Sequence, residues 1–198
     1  MSGYEKPDFW ALKAKREGYP ARSVYKLEEL DAKFGLVKKG ARVLDIGASP
    51  GSWTMWVLKR LEGTGFLAAI DLQDLASSPD VANFLFVKGD LYDDESRMAI
   101  LDAGPFDLVL SDAAPATTGN RLVDQSASEG IVEAVIDYAE ASLAPGGALV
   151  AKIFQGGAEA SLLKRLRLRF AQAKGFKPEA CRSESFETYL VAKGFKGG

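Results

Sequence analysis

Short apolar runs alternate with segments of helical pattern over most of this 198-residue chain. The runs are four to seven residues long and carry few charges, as do strands that are buried on both faces. Because parallel strands need a long crossover, usually a helix, the alternation predicts an α/β fold with a mostly parallel sheet and helices on both faces. The predicted strands are 42–47, 65–71, 84–87, 106–111 and 148–154, and the predicted intervening helices are 53–61, a weak segment at 74–82, 95–101 and 126–143.

The last part of the chain has a different pattern. Two further strands, 176–181 and 186–193, are predicted as an antiparallel hairpin around the polar turn 182–185, which makes the sheet seven-stranded. Flanking helices are predicted at 20–34 and 162–171. We find no internal repeat, low-complexity tract or linker, so residues 1–198 are predicted to form a single domain.

Histidine is absent and Cys181 is the single cysteine, which narrows the chemistry. A Ser-His-Asp or Cys-His relay, a His-bearing zinc site and an internal disulfide are excluded. Proton transfer therefore falls to lysine, a carboxylate, tyrosine or Cys181. The single cysteine, the lack of a signal-peptide core and the lack of any apolar run near the ~20 residues of a membrane span predict a cytoplasmic protein without a membrane partner.

Charge is unevenly distributed although its total is only −2. Residues 1–26, 27–151 and 152–198 carry local net charges of +3, −11 and +6. Two basic ends around an acidic middle predict a positive face for phosphate groups, because binding depends on the local field. Solvated helix faces that happen to be rich in lysine and arginine are an equally simple interpretation.

The segment 43–53 follows the first predicted strand and opens a helix. Its glycines, Gly47 and Gly51, permit a tight turn and close approach of a ligand. The letters match a G-x-S-x-G nucleophile elbow, but no histidine is present to serve it, and a dinucleotide fingerprint needs a third glycine. S-adenosylmethionine has no pyrophosphate and does not need that glycine. A plain strand-to-helix turn explains the glycines but not the aspartates that lie at strand ends, namely Asp45, Asp71, Asp90 and Asp112.

Five motifs follow one another along the chain: GYPARSVYKL at 18–27, LDIGASPGSW at 44–53, DLVLSDAAP at 107–115, LAPGG at 143–147 with KIFQG at 152–156, and RSESFETYLV at 182–191. Together they resemble the FtsJ/RrmJ family of S-adenosylmethionine-dependent RNA 2′-O-ribose methyltransferases. Ser49, Ser52 and the stretch 116–118 depart from the usual family pattern.

The resemblance implies a Rossmann-like methyltransferase fold. We expect the protein to be a monomer and to need no metal. It also implies a catalytic tetrad of Lys26, Asp112, Lys152 and Glu187. The residues that we predict to contact S-adenosylmethionine are Gly47, Gly51, Trp53, Asp71, Asp90 and Asp112.

A lysine base must be neutral, and burial next to a second cation favours the neutral amine. We therefore take Lys152 as the candidate base. Lys26 would position the nucleotide or stabilise the developing alkoxide charge, and Asp112 and Glu187 would orient the amine and the hydroxyl and balance the charge. Each residue has a simpler interpretation: Lys26 as a solvated helix residue, Asp112 as a turn cap and Glu187 as the polar face of a strand. For Lys152 that interpretation is weak, because an unpaired lysine inside an apolar run is costly.

Residues 1–35 are predicted as a basic helical segment of the RNA face. They interleave aromatic and cationic side chains, although packing explains Trp10 equally well: Trp10, Lys13, Lys15, Arg16, Tyr19, Arg22 and Tyr25. Pro115 is not followed by an aromatic residue, which disfavours methylation of a base amine. We expect the acceptor to be a ribose 2′-hydroxyl of structured RNA. The expected nucleotide is a uridine of large-subunit (23S-type) ribosomal RNA within a ribosomal subunit. Transfer RNA, a small-molecule acceptor and a silent RNA-binding assembly factor are the alternatives.

Overall fold

The fold is a seven-stranded sheet with the strand order β3-β2-β1-β4-β5-β7-β6, flanked by six helices in the described part of the chain. We describe residues 9–182 and 185–197 of a computed structural model. The helices are α1 Phe9–Arg16, α2 Val24–Phe34, α3 Ser52–Leu61, α4 Asp94–Asp102, α5 Arg121–Ser142 and α6 Ala158–Arg169. The strands are β1 Arg42–Ile46, β2 Phe66–Asp71, β3 Phe84–Lys88, β4 Phe106–Ser111, β5 Leu143–Phe154, β6 Phe170–Phe176 and β7 Glu187–Phe195.

Strands β1 to β5 pair in parallel, and β7 lies antiparallel between β5 and β6. The predicted Rossmann-like fold, with a mostly parallel sheet and an antiparallel pair from the end of the chain, is therefore confirmed. In the described ranges, no helix is both long enough and apolar enough to span a membrane.

Both faces of the sheet are covered, which explains why its strands are apolar almost throughout. Neighbouring residues of β1 enter different cores, since side chains alternate along a strand. Leu44 packs with residues of α5 and α6 such as Ile136, whereas Val43 packs with residues of α2 and α3 such as Leu27 and Val57. All five are essentially inaccessible to solvent.

Two predicted elements are wrong in the structure. The segment 74–82 is not helical; Ser77, Ser78 and Pro79 are poor helix formers, and the amide of Ala76 donates to the carbonyl of Pro50 instead. The strand predicted at 176–181 lies earlier, at Phe170–Phe176, and residues 177–182 form an irregular connection that contains Pro178. The predicted turn at 182–185 falls partly outside the described residues.

Helix ends differ from the predictions for local reasons. The helix predicted at 20–34 begins at Val24, because residues 20–23 form turns. The helix predicted at 126–143 begins at Arg121, because the Asn120 side chain caps it by accepting from the amide of Leu122 at 3.1 Å. The helix predicted at 162–171 spans Ala158–Arg169 and ends where Phe170 enters β6.

Candidate active site

A cavity of about 690 Å³ lies at the carboxyl ends of the central strands. The order of strands reverses between β1 and β4, which is the place where open α/β sheets bind ligands. Five predicted site residues from different parts of the chain line this cavity: Gly47, Asp71, Asp90, Asp112 and Lys152.

The loop after β1 is held tightly against its neighbours. Gly47 has φ +76°, and a Cβ atom at this position would lie 2.5 Å from the Cβ of Ala113. Gly51 precedes α3 with φ +107°, a conformation that side chains rarely adopt. Asp71 fixes the loop from β2, because its carboxylate accepts from the amide of Ser49 at 2.9 Å. Both glycines are therefore required by the backbone itself.

Asp45 is a buried carboxyl group below the same loop. One oxygen accepts from the Thr54 hydroxyl at 2.8 Å, and the other has no hydrogen-bond partner among the described residues. Burial raises the pKa of Asp45 to about 7. The hydrogen bond from Thr54 opposes this rise, whereas the negative charges of Asp112 and Asp71 add to it. Asp45 is therefore protonated for part of the time at neutral pH.

Lys152 does not lie unpaired in its apolar strand. Its Nζ is 3.1 Å from Oδ1 of Asp112 and donates to the Asp112 main-chain carbonyl at 2.5 Å. Only 9% of Lys152 is exposed, and it borders the cavity. The ammonium group is thus held by two oxygens of one residue at the wall of the cavity.

A second buried ion pair joins Lys26 of α2 to Glu187 of β7, with Nζ and Oε1 2.6 Å apart. Burial lowers the pKa of Lys26, but the carboxylates of Asp112 and Glu187 outweigh it and raise the pKa above its ordinary value. Burial alone would raise the pKa of Glu187. The charge and the hydrogen bond of Lys26 outweigh burial, so the pKa of Glu187 is lowered. Both groups are therefore charged at neutral pH.

Tyr189 connects the two ion pairs, and the sequence analysis missed it. Tyr189 lies opposite Lys152 in the β5–β7 ladder, two residues after Glu187, so its side chain is on the same face. Its hydroxyl donates to Oδ1 of Asp112 at 2.7 Å, and the Lys26 Nζ is 6.0 Å from its ring centroid. The alternation of Glu187 and Tyr189 along a strand was the available signal. The structure thus brings all four residues of the predicted tetrad together.

Trp53 is buried rather than exposed to the cavity. Its indole N–H donates to the Ser23 carbonyl at 2.8 Å, and its ring centroid is 6.0 Å from that of Tyr189. This contact fixes the start of α2, and hence Lys26, against α3. The described residues that line the cavity do not include Trp53 or Gly51, and contact of either with a cofactor stays a prediction.

Cys181 is a buried thiol beside Glu187. Burial, with a hydrogen bond to Glu187, raises the pKa of Cys181 to about 12. The thiol therefore remains protonated at neutral pH, which removes it from the groups that can accept a proton there.

A second cavity, of about 510 Å³, adjoins the first at Ser23 and is lined by Lys26, Glu187, Arg22 and Arg182. Burial lowers the pKa of Arg22, and the like charge of Arg182 lowers it further. Among the described residues that line this second cavity, which we call the basic cavity, three cations stand against one acid, which suits a phosphate-bearing ligand.

Trp10 and Tyr25 of the N-terminal segment pack against each other. Tyr25 is buried, and the ring centroid of Trp10 is 5.0 Å from that of Tyr25. Lys13 covers the same ring, with Nζ 4.1 Å from the Tyr25 centroid. Of the two interpretations of Trp10, packing is therefore the one that the geometry favours. In the part of the chain that the structure describes, no group of Cys, Asp and Glu side chains is arranged to hold a metal.

The sheet order, the glycine loop and the aspartate-lined cavity at the switch point define a Rossmann-like methyltransferase. A family model described as FtsJ-like methyltransferase matches residues 19–195, nearly the whole chain. The chain therefore belongs to the FtsJ-like methyltransferase family, and the predicted class of enzyme, an S-adenosylmethionine-dependent methyltransferase, is confirmed.

Relatives cover the same length. A protein of Treponema denticola named ribosomal RNA large subunit methyltransferase E is 50% identical over 98% of both chains. A protein of the same name from Borreliella afzelii is 47% identical over 95% of this chain and 98% of its own. The crystal structure of a putative ribosomal RNA methyltransferase from Plasmodium falciparum is 30% identical, covers 91% of this chain and 100% of its own, and superimposes with a TM-score of 0.79.

Proposed function

We propose that this enzyme transfers a methyl group from S-adenosylmethionine to a ribose 2′-hydroxyl of large-subunit ribosomal RNA. The observation that carries the proposal is the convergence of Lys152–Asp112 and Lys26–Glu187 beside the cavity at the switch point. A histidine-free site with two buried lysines suits removal of a proton from a hydroxyl group.

The cavity fits the cofactor in size and chemistry. Its volume of about 690 Å³ lies within the range of roughly 300–1,000 Å³ typical of small-molecule sites. Asp71 and Asp90 would hold the nucleoside hydroxyls, and Gly47 lets the backbone approach closely. S-adenosylmethionine, when bound, supplies an electrophilic methyl group.

The roles of the four residues follow from their contacts. We assign Lys152 as the base: in its neutral form, Nζ accepts the hydroxyl proton at the cavity wall. Asp112 and Tyr189 fix the position of that nitrogen. Lys26, which remains charged through Glu187, stabilises negative charge that develops on the attacking oxygen.

The substrate assignment rests on the relatives, which are named for large-subunit ribosomal RNA, and on the basic cavity next to the tetrad. We also propose that the acceptor is a uridine within an assembled ribosomal subunit. The enzyme would act as a monomer in the cytoplasm. Structured RNA is reached most readily where a nucleotide is unpaired, because its ribose and base can then turn outward.

The test is methyl transfer to three acceptors: large ribosomal subunits from cells that lack the enzyme, the free large-subunit RNA, and transfer RNA. We expect 2′-O-methyluridine at one site of the subunits, detected by nuclease digestion and mass spectrometry. Methylation of transfer RNA alone would support the transfer-RNA alternative. A protein that binds subunits tightly without methylating any acceptor would support the silent assembly factor instead.

A further inference from the structure

We propose that Phe186, supported by Phe154 and Arg121, forms a stacking subsite for the base of a nucleotide next to the one that is methylated. This subsite rests on the proposed function, because it requires an RNA substrate at the tetrad. It goes beyond the tetrad in that it assigns a position to the neighbouring nucleotide.

The ring of Phe186 is held in a defined position at the start of β7. Phe186 directly precedes Glu187, and its carbonyl accepts from the amide of Gln155 at 2.7 Å, which extends the β5–β7 ladder. Its ring meets that of Phe154 edge to face, with centroids 4.9 Å apart and an interplanar angle of 64°. Both residues are partly exposed. A partly exposed ring that is fixed by the backbone and by a second ring loses little entropy when a base stacks on it.

A cation stands over the same ring. The guanidinium carbon of Arg121 is 5.4 Å from the Phe186 centroid, and the side chain is exposed. Arg121 begins α5, directly after the loop that borders the cofactor cavity at Ala116. An arginine beside an aromatic ring binds a nucleotide through both of its parts, the phosphate by charge and the base by its planar face.

The position of this pair suits a neighbouring nucleotide rather than the target itself. Ser185 and Glu187, on either side of Phe186 in the sequence, line the basic cavity, whereas Lys152 and Ala116 line the cofactor cavity. Phe186 thus belongs to a segment that borders the basic cavity, and Arg121 follows a loop that borders the cofactor cavity. Trp10 and Tyr25 pack against each other, whereas Phe186 offers a partly exposed ring on the segment that supplies Glu187. A stacked neighbour would hold the target ribose in line for attack.

Steady-state kinetics with large ribosomal subunits test the role of the ring. We expect Phe186→Leu, which keeps an apolar side chain but cannot stack, to raise KM for the subunits about 5- to 150-fold, with a much smaller change in kcat. Phe186→Tyr restores the aromatic face and should restore most of the binding. Phe66→Leu is the matched control, because Phe66 also lies under an arginine, with the Arg42 guanidinium carbon 4.7 Å from its centroid, but at the start of β2. An unchanged KM in Phe186→Leu, or an equal rise in Phe186→Tyr, would overturn the proposal.

Photocrosslinking separates this proposal from the proposed function. Large-subunit RNA that contains 5-iodouridine is bound to the enzyme, irradiated and digested, and the crosslinked peptide is identified by mass spectrometry. We expect the crosslink at Phe186, and its loss in Phe186→Leu. Crosslinks that lie elsewhere and persist in Phe186→Leu would overturn the stacking subsite even if methylation is observed. Absence of methyl transfer together with a crosslink at Phe186 would overturn the proposed function alone.

Discussion

At the scale of single residues, the site consists of two buried ion pairs that share one tyrosine. Lys152 is held by Asp112 and Lys26 by Glu187, while Tyr189 donates to Asp112 and lies next to Lys26. Removing one partner of such a pair leaves a buried charge without compensation, which costs more than the pair contributes. The unfolding free energy of each variant in these pairs should therefore be measured together with its activity.

Lys152→Met should abolish methyl transfer while the fold remains. Methionine retains the apolar stem in β5 but cannot accept a proton, so we expect kcat to fall by about 10²- to 10⁴-fold. Binding of S-adenosylmethionine, measured by calorimetry, should change little. Lys39→Met is the control, because Lys39 forms an exposed pair with Glu62. A Lys152→Met enzyme with native activity would remove the base assignment.

Asp45 should make stability depend on pH near neutrality. Its pKa is raised from 3.8 to about 7, so the folded state holds a proton that the unfolded state has already lost. The stability that this proton provides is fully present below the unfolded pKa and is lost as the pH rises toward 7. In urea unfolding, we expect the wild-type protein to lose about 3 kcal/mol relative to Asp45→Asn between pH 5 and pH 8. A difference that stays constant over this range would contradict the assignment.

At the scale of elements, α2 and the connection between β6 and β7 hold each other in place. Both carboxylate oxygens of Glu29 accept from main-chain amides, those of Glu179 at 2.6 Å and Ala180 at 2.8 Å. Arg22 also donates to the Ala180 carbonyl. The connection that precedes Glu187 is thus attached to the helix that carries Lys26.

Glu29→Ala should loosen this connection without touching the tetrad. We expect a loss of about 1–3 kcal/mol in unfolding free energy, because two amides lose their acceptor. Hydrogen exchange should become faster in 177–182, and kcat should fall as Lys26 and Glu187 separate. Glu28→Ala is the matched control, since Glu28 is exposed on the same helix. Equal exchange rates in the two variants would show that the Glu29 contacts do not hold the connection.

Elements were predictable where one periodicity dominated. The five parallel strands were found because both of their faces are buried, which leaves unbroken apolar runs. The first strand of the hairpin was misplaced because the sequence around Leu166 fits two patterns. Leu162 and Leu166 follow a helical period, whereas Leu166, Leu168 and Phe170 alternate as in a strand. Local sequence does not decide between these patterns, and pairing of Phe170 with Phe195 does.

The motifs predicted the residues that converge in the tetrad, but not their contacts. The tetrad residues come from distant parts of the chain, and their distances depend on the order of strands. Tyr189 was missed because packing alone explains a tyrosine in an apolar strand, even if its hydroxyl group has no partner. Trp53 was expected at the cofactor, yet the carbonyl of Ser23, 30 residues away, is its hydrogen-bond partner.

At the scale of the whole molecule, much of the positive charge at the end of the chain is used within the fold. Arg165 pairs with Asp137 and Glu140, and Lys196 donates to two carbonyls at the end of α6. Lys193 donates to the Phe34 carbonyl. Of the cations that the structure describes, Lys26, Arg22 and Arg182 are the ones that line the basic cavity next to the tetrad.

Binding of the acceptor should depend strongly on salt. Phosphate contacts release counterions, so we expect KM for ribosomal subunits to rise at least about tenfold between 50 and 200 mM KCl. The dissociation constant of S-adenosylmethionine should change far less over the same range. An acceptor KM that is independent of salt would instead favour a small-molecule substrate.

The position of β7 has a consequence for the newly made chain. Glu187 and Tyr189 are supplied by the final strand, which has to insert between β5 and β6 after both have been synthesised. Because domains begin to fold from the N-terminus during translation, a nascent chain can form the cofactor cavity before it can form the tetrad. The tetrad can therefore assemble only after β7 has left the ribosome and paired with β5.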